Sequence, residues 1–565
     1  MTPIKSCGLA HIHPDRIVSS NNMVMELNVD VHRLWHSGEY VSKSYNIRIP
    51  QPIFRHILEG KVMRINPLRS FAFILSKNVG TTVISLAVTP IIVRLLGSSG
   101  YGDYAFILSI TNVSMLFVNA GMEDGVRKFV AEDRDLPGWA DMVFGFYMRV
   151  GALLAGVGVL VIVGLNISGV TQRVLDPRFV TYLYLVAILL FARQFQVLFR
   201  NALMAKGLEH LSEPLKLVQN LTFSAAAITL AYIGYAVSGV LVGHIFASLS
   251  VIILGGYFIS QNYDIRLVFK PSRSDLPRGS LLTFNGYNMI LVLLMFSLYH
   301  IDVLLLNPMV GSAATGYYKA ALVISGFLWF VPISIQKALL HSSSEMWANR
   351  DASAVSAISA RITRYTMVFT TLFILGIAAL ANPFMPLYFG SNFTASIEPL
   401  LLLLPGALGF AVARPIIAIG QGKGNLKPLI LATGAAAVIN LILNVLLIPK
   451  FGVGGAAVST SIGYGSMVLF HGLAARRNGF RPLSDLRLVR FCVSITISAM
   501  FIFGLATFTG PNLHSLLLVP PVGFAVYTAT IIKTKTISAV ELLDILDNGP
   551  DQYMRYPKKI VHLIG

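Results

Sequence analysis

The chain of 565 residues carries 44 Lys and Arg against 26 Asp and Glu, a net charge of +18, yet only 12% of its residues are charged and 55% are hydrophobic. Mean hydropathy is +0.69. Soluble proteins average about 25% charged residues, so this composition excludes a disordered chain and a soluble nucleic-acid binder, whose basic surface needs far more charge.

In chain order, the stretch 1–70 is polar, with nine Lys/Arg, five Asp/Glu and no apolar run. Without an apolar stretch before Phe71 it does not read as a signal peptide. It is expected to form a cytoplasmic N-terminal tail, 1–70, of which 1–62 reads equally as a mis-assigned start ahead of Met63. The two cysteines, Cys7 and Cys492, supply no disulfide framework.

From Phe71 onward, fourteen stretches reach the roughly 20 apolar residues that a helix needs to cross the hydrocarbon core. They run about 71–96, 102–121, 142–169, 180–205, 214–232, 239–259, 281–306, 318–341, 361–381, 396–420, 428–447, 454–471, 490–508 and 516–533. A β-barrel would show alternating segments of about 10 residues instead. Pro90, Pro332, Pro405 and Pro415 fall inside spans, as in kinked membrane helices. With the N-terminus inside, the internal inside loops hold fifteen Lys/Arg, and the outside loops hold three, Arg173, Arg178 and Lys450. That bias places both termini in the cytoplasm of a multi-pass plasma-membrane protein. Most of the +18 therefore encodes orientation and contact with the anionic inner leaflet.

The chain also repeats itself. LGSSGYGDY at Leu96–Tyr104 resembles VGSAATGYYK at Val310–Lys319, with Gly100 and Gly316 offset by 216. Gly239 and Gly455 recur at the same offset, and Arg200 with Gly207 recurs as Arg414 with Gly422 at 214 and 215. The fold class expected is an all-α polytopic membrane protein of about fourteen transmembrane helices, two parallel six-helix repeats plus two C-terminal helices. Its parts are an N-terminal bundle over 71–259, a cytoplasmic basic linker over 260–280, a second bundle over 281–475, two additional helices over 488–534 and a cytoplasmic tail over 535–565. Parallel repeats place a cavity between the bundles and favour transport by rocking.

Four segments carry a family resemblance: Ser76–Ile107, Val118–Glu132, Tyr299–Ala321 and Ile419–Gly465. With the two six-span halves and two extra spans, the chain resembles the polysaccharide transporter branch of the multidrug/oligosaccharidyl-lipid/polysaccharide flippase superfamily. The resemblance covers about Phe71 to Thr534; the polar tail departs from it. It implies export of a lipid-linked oligosaccharide, with other glycan-assembly proteins as partners and no part for nucleic acid.

Ionisable groups inside spans cost about 2.5–3.5 kcal/mol each on insertion scales, so they face a cavity or a partner. Lys77 and Asn78 form a polar face on the first span, where Lys77 reads equally as a cavity residue or as snorkelling to the cytoplasm. Arg94, near the outer end, would meet a lipid phosphate or Asp103. Arg149 enters the third span. Arg193, Gln196 and Arg200 make an i, i+3, i+7 row on the fourth, suited to holding a phosphate headgroup, against the alternative of cations neutralised by neighbouring helices. Asp302, deep in YHIDVLLLN, pairs with a base on another span or binds the coupling cation. Lys319 and Lys337 read as anchors at opposite ends of the eighth span, and Arg414 as the repeat partner of Arg200. Asn440 and Asn444, one turn apart, favour interhelical hydrogen bonds.

Enzyme signals are weak. Asp133-Arg134-Asp135 lacks a nucleotide-binding fold around it, His11 and His13 have no further zinc ligands, and no Walker A or Gly-x-Ser-x-Gly arrangement occurs. The expected function is a flippase that carries a lipid-linked oligosaccharide from the cytoplasmic to the outer leaflet by alternating access, without a cofactor, Pro90 and Pro332 being the flex points. The alternatives are a cation-coupled drug exporter of the same superfamily and a polytopic glycosyltransferase or polymerase of the same pathway.

Overall fold

A computed structural model describes residues 18–19, 23–24 and 67–541, apart from 133, 135, 271–275, 284–285, 350 and 539. The chain divides into two units, Met1–Arg64 and Ile65–Gly565. In the first, the described residues form one short antiparallel pair, Val18–Ser19 (β1) with Met23–Val24 (β2). Cys7, His11, His13, Asp133, Asp135, Arg273 and Arg350 lie outside the described residues.

Every described element of the second unit is helical. The helices are α1 (Pro67–Asn119), α2 (Met122–Ala131), α3 (Trp139–Ile167), α4 (Val170–Val174), α5 (Arg178–Ala205), α6 (Glu209–Leu230), α7 (Ala236–Asn262), α8 (Ile265–Phe269), α9 (Arg278–Thr283), α10 (Gly286–Val310), α11 (Ser312–Phe327), α12 (Phe330–Asn349), α13 (Ala352–Phe389), α14 (Ile397–Gly422), α15 (Lys427–Arg477), α16 (Leu488–Thr509) and α17 (Leu513–Lys533). A π-turn over Ala231–Tyr235 joins α6 to α7. Among the described residues ten helices are long and apolar enough to cross a membrane, or eleven if the bent pair α11 and α12 counts as one span. This is a multi-pass membrane protein.

The helices break inside the loops the sequence reading placed, but over a single residue. Stretches 71–96 and 102–121 are the two arms of α1, separated at Gly97, φ 66 and ψ −178. Stretches 428–447 and 454–471 are the two arms of α15, separated at Gly452, φ 54 and ψ −125. Glycine reaches positive φ without a Cβ clash, so the chain can turn there while almost no helix is lost. The backbone breaks do not coincide with the two prolines expected as flex points. Pro90 sits inside the first arm of α1, and the break comes later, at Gly97. The 52° bend between α11 and α12 falls at Leu328 and Trp329. Pro332 follows it in the first turn of α12, where a missing N–H leaves no ladder bond unmade.

A buried aromatic cluster anchors the α10, α14 and α15 region. Phe410 stacks on Tyr464 with ring centroids 4.8 Å apart, and Trp329 meets Phe410 edge-on at 5.0 Å. The indole N–H of Trp329 donates to the Ala407 carbonyl at 3.2 Å. Such rings combine large apolar burial with a directional contact.

A charge cluster ties α13 to the segments after α15 and α17. Arg364, with a fully buried side chain, pairs with Asp485 and with Glu541 at 2.6 Å. Arg487 reaches the same Glu541 at 3.1 Å. Burial raises the Glu541 carboxyl, but the Ser538 N–H and the two guanidinium groups outweigh it and hold the group below the usual carboxylate range. A depressed carboxyl contributes stability that is present above its unfolded range and is lost as pH falls through the folded value. We predict that Arg364→Ala destabilises the protein by about 3 kcal/mol, read as a lower thermal midpoint in detergent, and that it removes part of the stability lost by the wild type on acidification below about pH 4.

Candidate functional site

Both arms of α1, with α6 and α11, enclose a cavity of about 210 Å³. Its lining includes Thr89, Tyr104, Asn220, Phe223, Ser224 and Lys319, with no carboxylate. These side chains offer aromatic faces, an amide, hydroxyls and one ammonium. Lys319 has no hydrogen-bond or ion-pair partner among the described residues. A half-buried lysine facing a cavity is expensive without an anion beside it.

The sequence reading made Lys319 an anchor at a helix end. That is corrected. α11 begins only at Ser312, after Gly311 at φ 111, so Lys319 lies two turns along, between the buried Tyr318 and Ala320. The apolar Ala320-Ala321 that follows was the available signal.

Behind the cavity wall, Tyr104 and the His244 Nε2 share a hydrogen bond of 2.8 Å. The His244 ring stacks on Phe223, centroids 4.1 Å apart. Neither His244 nor this sandwich was singled out from sequence. Arg193 stands in the same layer, donating to Asn112 Oδ1 at 3.1 Å, and it is not among the cavity-lining residues.

The stripe expected on α5 divides. Gln196 is buried and accepts from the Ser248 hydroxyl of α7 at 2.8 Å, so it joins two helices. The Arg200 Nε is buried with no partner among the described residues. Arg149 is also committed elsewhere: its Nη1 donates to the Val268 and Lys270 carbonyls at 2.9 and 2.8 Å, closing the C-terminal end of α8. Gly145, one turn earlier, makes this docking feasible, because a Cβ there would lie 2.2 Å from the Val268 oxygen.

Arg414 is 6% exposed. It donates to Gln336 Oε1 at 2.8 Å and to the Tyr299 hydroxyl at 2.6 Å, and its guanidinium lies 4.6 Å from the Phe410 ring centroid. No carboxylate pairs with it among the described residues. Lys77 and Asn78 fall on the first turns of α1. Arg94 does not pair with Asp103: it donates to the Leu387 carbonyl of α13, while Asp103 pairs with Arg178 at 3.2 Å.

Asp302 makes no ion pair among the described residues. It is fully buried on α10 and accepts from the Tyr318 hydroxyl at 2.7 Å and from Asn444 Nδ2 at 3.0 Å. Tyr318 in turn bonds Thr460 at 2.8 Å. The Oδ1 atoms of Asn440 and Asn444 are buried and unpartnered. No group of three or more His, Cys, Asp or Glu is placed to hold a metal among the described residues.

Residues 91–398, more than half of the chain, match a family described as polysaccharide biosynthesis protein. A probable low-salt glycan biosynthesis flippase of Haloferax volcanii, Agl15, is 22% identical over 431 residues, 74% of this chain and 85% of that protein. An uncharacterized membrane protein of Methanocaldococcus jannaschii is 28% identical over 166 residues, 28% of this chain; the match spans only 31% of that relative's length. Among solved structures, the lipid II flippase MurJ in an inward closed conformation superposes with a TM-score of 0.64 at 13% identity, covering 82% of this chain and 98% of that one. At that identity the likeness shows the fold.

Proposed function

The chain belongs to the polysaccharide biosynthesis protein family, and from that membership we propose that it is a flippase moving a lipid-linked oligosaccharide from the cytoplasmic to the outer leaflet by alternating access. The observation that carries the reading is the cavity with its single unpartnered ammonium, Lys319. A lipid-linked sugar brings a phosphate or pyrophosphate, which supplies the missing anion. Tyr104, Phe223 and Asn220 give the adjoining sugar flat faces and an amide. Arg193 strengthens the positive field from behind Tyr104, and Arg200 adds a second positive charge on the same helix. The cavity's lack of a carboxylate disfavours a drug exporter, which needs an acid where a cationic drug binds.

Fourteen crossings are supported by length. Thr82–Ala131, Glu209–Asn262 and Lys427–Arg477 run 50, 54 and 51 residues, and about 20 suffice for one span. Each therefore contributes two crossings, joined at Gly97, at Gly234 and at Gly452. A duplicated architecture over 71–259 and 281–475 is supported by matching backbone breaks. Gly97 (φ 66) corresponds to Gly311 (φ 111), and Ala236 (φ 44, ψ −125) corresponds to Gly452 (φ 54, ψ −125). Both pairs keep the spacing of the sequence repeat. The loop-charge bias orients the Gly97 end outward and both termini inward.

Asp302 is our coupling site. Its one carboxylate, with no ion pair among the described residues, accepts from the Tyr318 hydroxyl and from Asn444 Nδ2, an arrangement suited to taking up a proton.

The test is reconstitution in vesicles carrying a fluorescent lipid-linked oligosaccharide, with quencher reporting its leaflet. Transfer dependent on the protein supports the reading; export of cationic dyes without lipid transfer replaces it. Within that assay, Arg193→Ala should slow transfer about tenfold and Arg193→Lys should restore most of it. Full activity of Arg193→Ala removes Arg193 from the site.

A further inference from the structure

We propose that a backbone-to-backbone clasp between α1 and α11, locked by Asp103, Arg178 and Ser312, is the gate that must part before substrate leaves the cavity towards the Gly97 end. The inference rests on the alternating-access reading and adds the residues that close one face.

The breaks at Gly97 and Gly311 each start a new helical stretch, Ser98 onward and Ser312 onward. Those stretches cross. A Cβ on Gly102 would lie 1.7 Å from the Ser312 carbonyl oxygen, and a Cβ on Gly316 would lie 2.0 Å from the Ser98 carbonyl oxygen. Gly102 and Gly316 stand at the same sequence offset as Ser98 and Ser312, so the contact is reciprocal about a local twofold axis. Two main chains touch where neither has a side chain to yield.

A polar lock surrounds the crossing. The Ser312 hydroxyl donates to Asp103 and accepts from Arg178 Nη2 at 3.1 Å. Arg178 Nε lies 3.2 Å from Asp103 Oδ2. Asp103 is only 1% exposed. Two further bonds join α1 to α13 nearby: Arg94 donates to the Leu387 carbonyl, and the Tyr388 hydroxyl donates to the Leu86 carbonyl at 2.7 Å. Asp103, Arg178 and Arg94 belong to the first half of the chain, and Ser312 and Leu387 to the second. The cavity begins directly beside the crossing, since Tyr101 and Tyr104 flank Gly102 on α1, and Lys319 follows Gly316 on α11. Anything leaving by this face has to separate the two glycines.

Because packed interfaces deform in discrete steps, one methyl at Gly102 should shift the population towards the parted state. The experiment uses the full chain with Cys7→Ser and Cys492→Ser, in proteoliposomes without substrate. Ser224→Cys reports access to the cavity, and Ser168→Cys, on an exposed turn, reports which vesicle side carries the Gly97 end. A membrane-impermeant maleimide is applied from that side. Gly102→Ala should raise the Ser224→Cys labelling rate about tenfold, and Asp103→Asn should raise it by a smaller factor. Gly156→Ala, where an added methyl meets nothing within 4 Å, should leave it unchanged. If Gly102→Ala does not fold, Asp103→Asn decides. Unchanged labelling in the folded variants overturns the gate. Labelling needs no substrate, so a flipping assay that fails while labelling rises counts against the flippase reading alone.

Discussion

Lys319→Ala is expected to slow lipid-linked oligosaccharide transfer by about 10- to 100-fold while leaving the thermal midpoint unchanged or higher. Hydrogen bonds to a charged group contribute about 1.5–3 kcal/mol, and each 1.4 kcal/mol is a factor of ten. The second half of the prediction separates a ligand residue from a structural one. A cation that holds the fold together weakens the protein when removed, as Arg364→Ala should. Lys319 has no hydrogen bond or ion pair among the described residues to lose, only the longer-range attraction of the Asp302 carboxylate, and removing a half-buried ammonium relieves its desolvation penalty. Lys319→Arg keeps the charge and should retain part of the transfer. The check is the vesicle transfer assay beside a melting curve in detergent; wild-type transfer by Lys319→Ala would show that another residue holds the anion.

The class of fold was legible in the composition, because helices in lipid must be long and apolar, and nothing in water imitates that pattern. The breaks were visible only as loops. Gly97 and Gly452 each end one helix and begin the next within a single residue, since glycine takes a positive φ without a Cβ clash and needs no longer loop. The site was legible as a type of residue and not as a set of positions. Arg149, Gln196 and Arg414 have the chemistry of a headgroup site, and each also bonds carbonyls, hydroxyls or an amide of other segments, while the Arg414 Nε stays without a partner among the described residues. Those partners lie 52 to 121 residues away in sequence, beyond the reach of helical periodicity. Lys319 looked peripheral for the opposite reason: the start of its helix depends on Gly311, which hydropathy does not register.

Asp302→Asn is expected to abolish the dependence of transfer on a cation gradient and to leave residual, gradient-independent exchange. The carboxylate, on α10, is bonded from two other helices, by Tyr318 on α11 and Asn444 on α15, and Tyr318 in turn bonds Thr460 on α15. An amide at 302 keeps the volume and removes the charge. It also sets an NH₂ where Asn444 already donates, so one acceptor is lost and the pocket no longer attracts a proton or cation. Tyr318 makes the bond to Asp302, and the next residue on α11 is Lys319, which faces the cavity. Charging or neutralising Asp302 therefore changes the hold on the helix that also carries the anion-binding lysine and, one turn earlier, the gate glycine Gly316. Coupling, substrate binding and release would then be three readouts of the position of α11. In vesicles, imposing a tenfold cation gradient, equivalent to about 1.4 kcal/mol, should accelerate the wild type and leave Asp302→Asn unaffected, with a similar fall in both when Lys319 is also replaced. A variant that responds to the gradient as the wild type does would reduce Asp302 to a structural acceptor and move the coupling step to another part of the molecule.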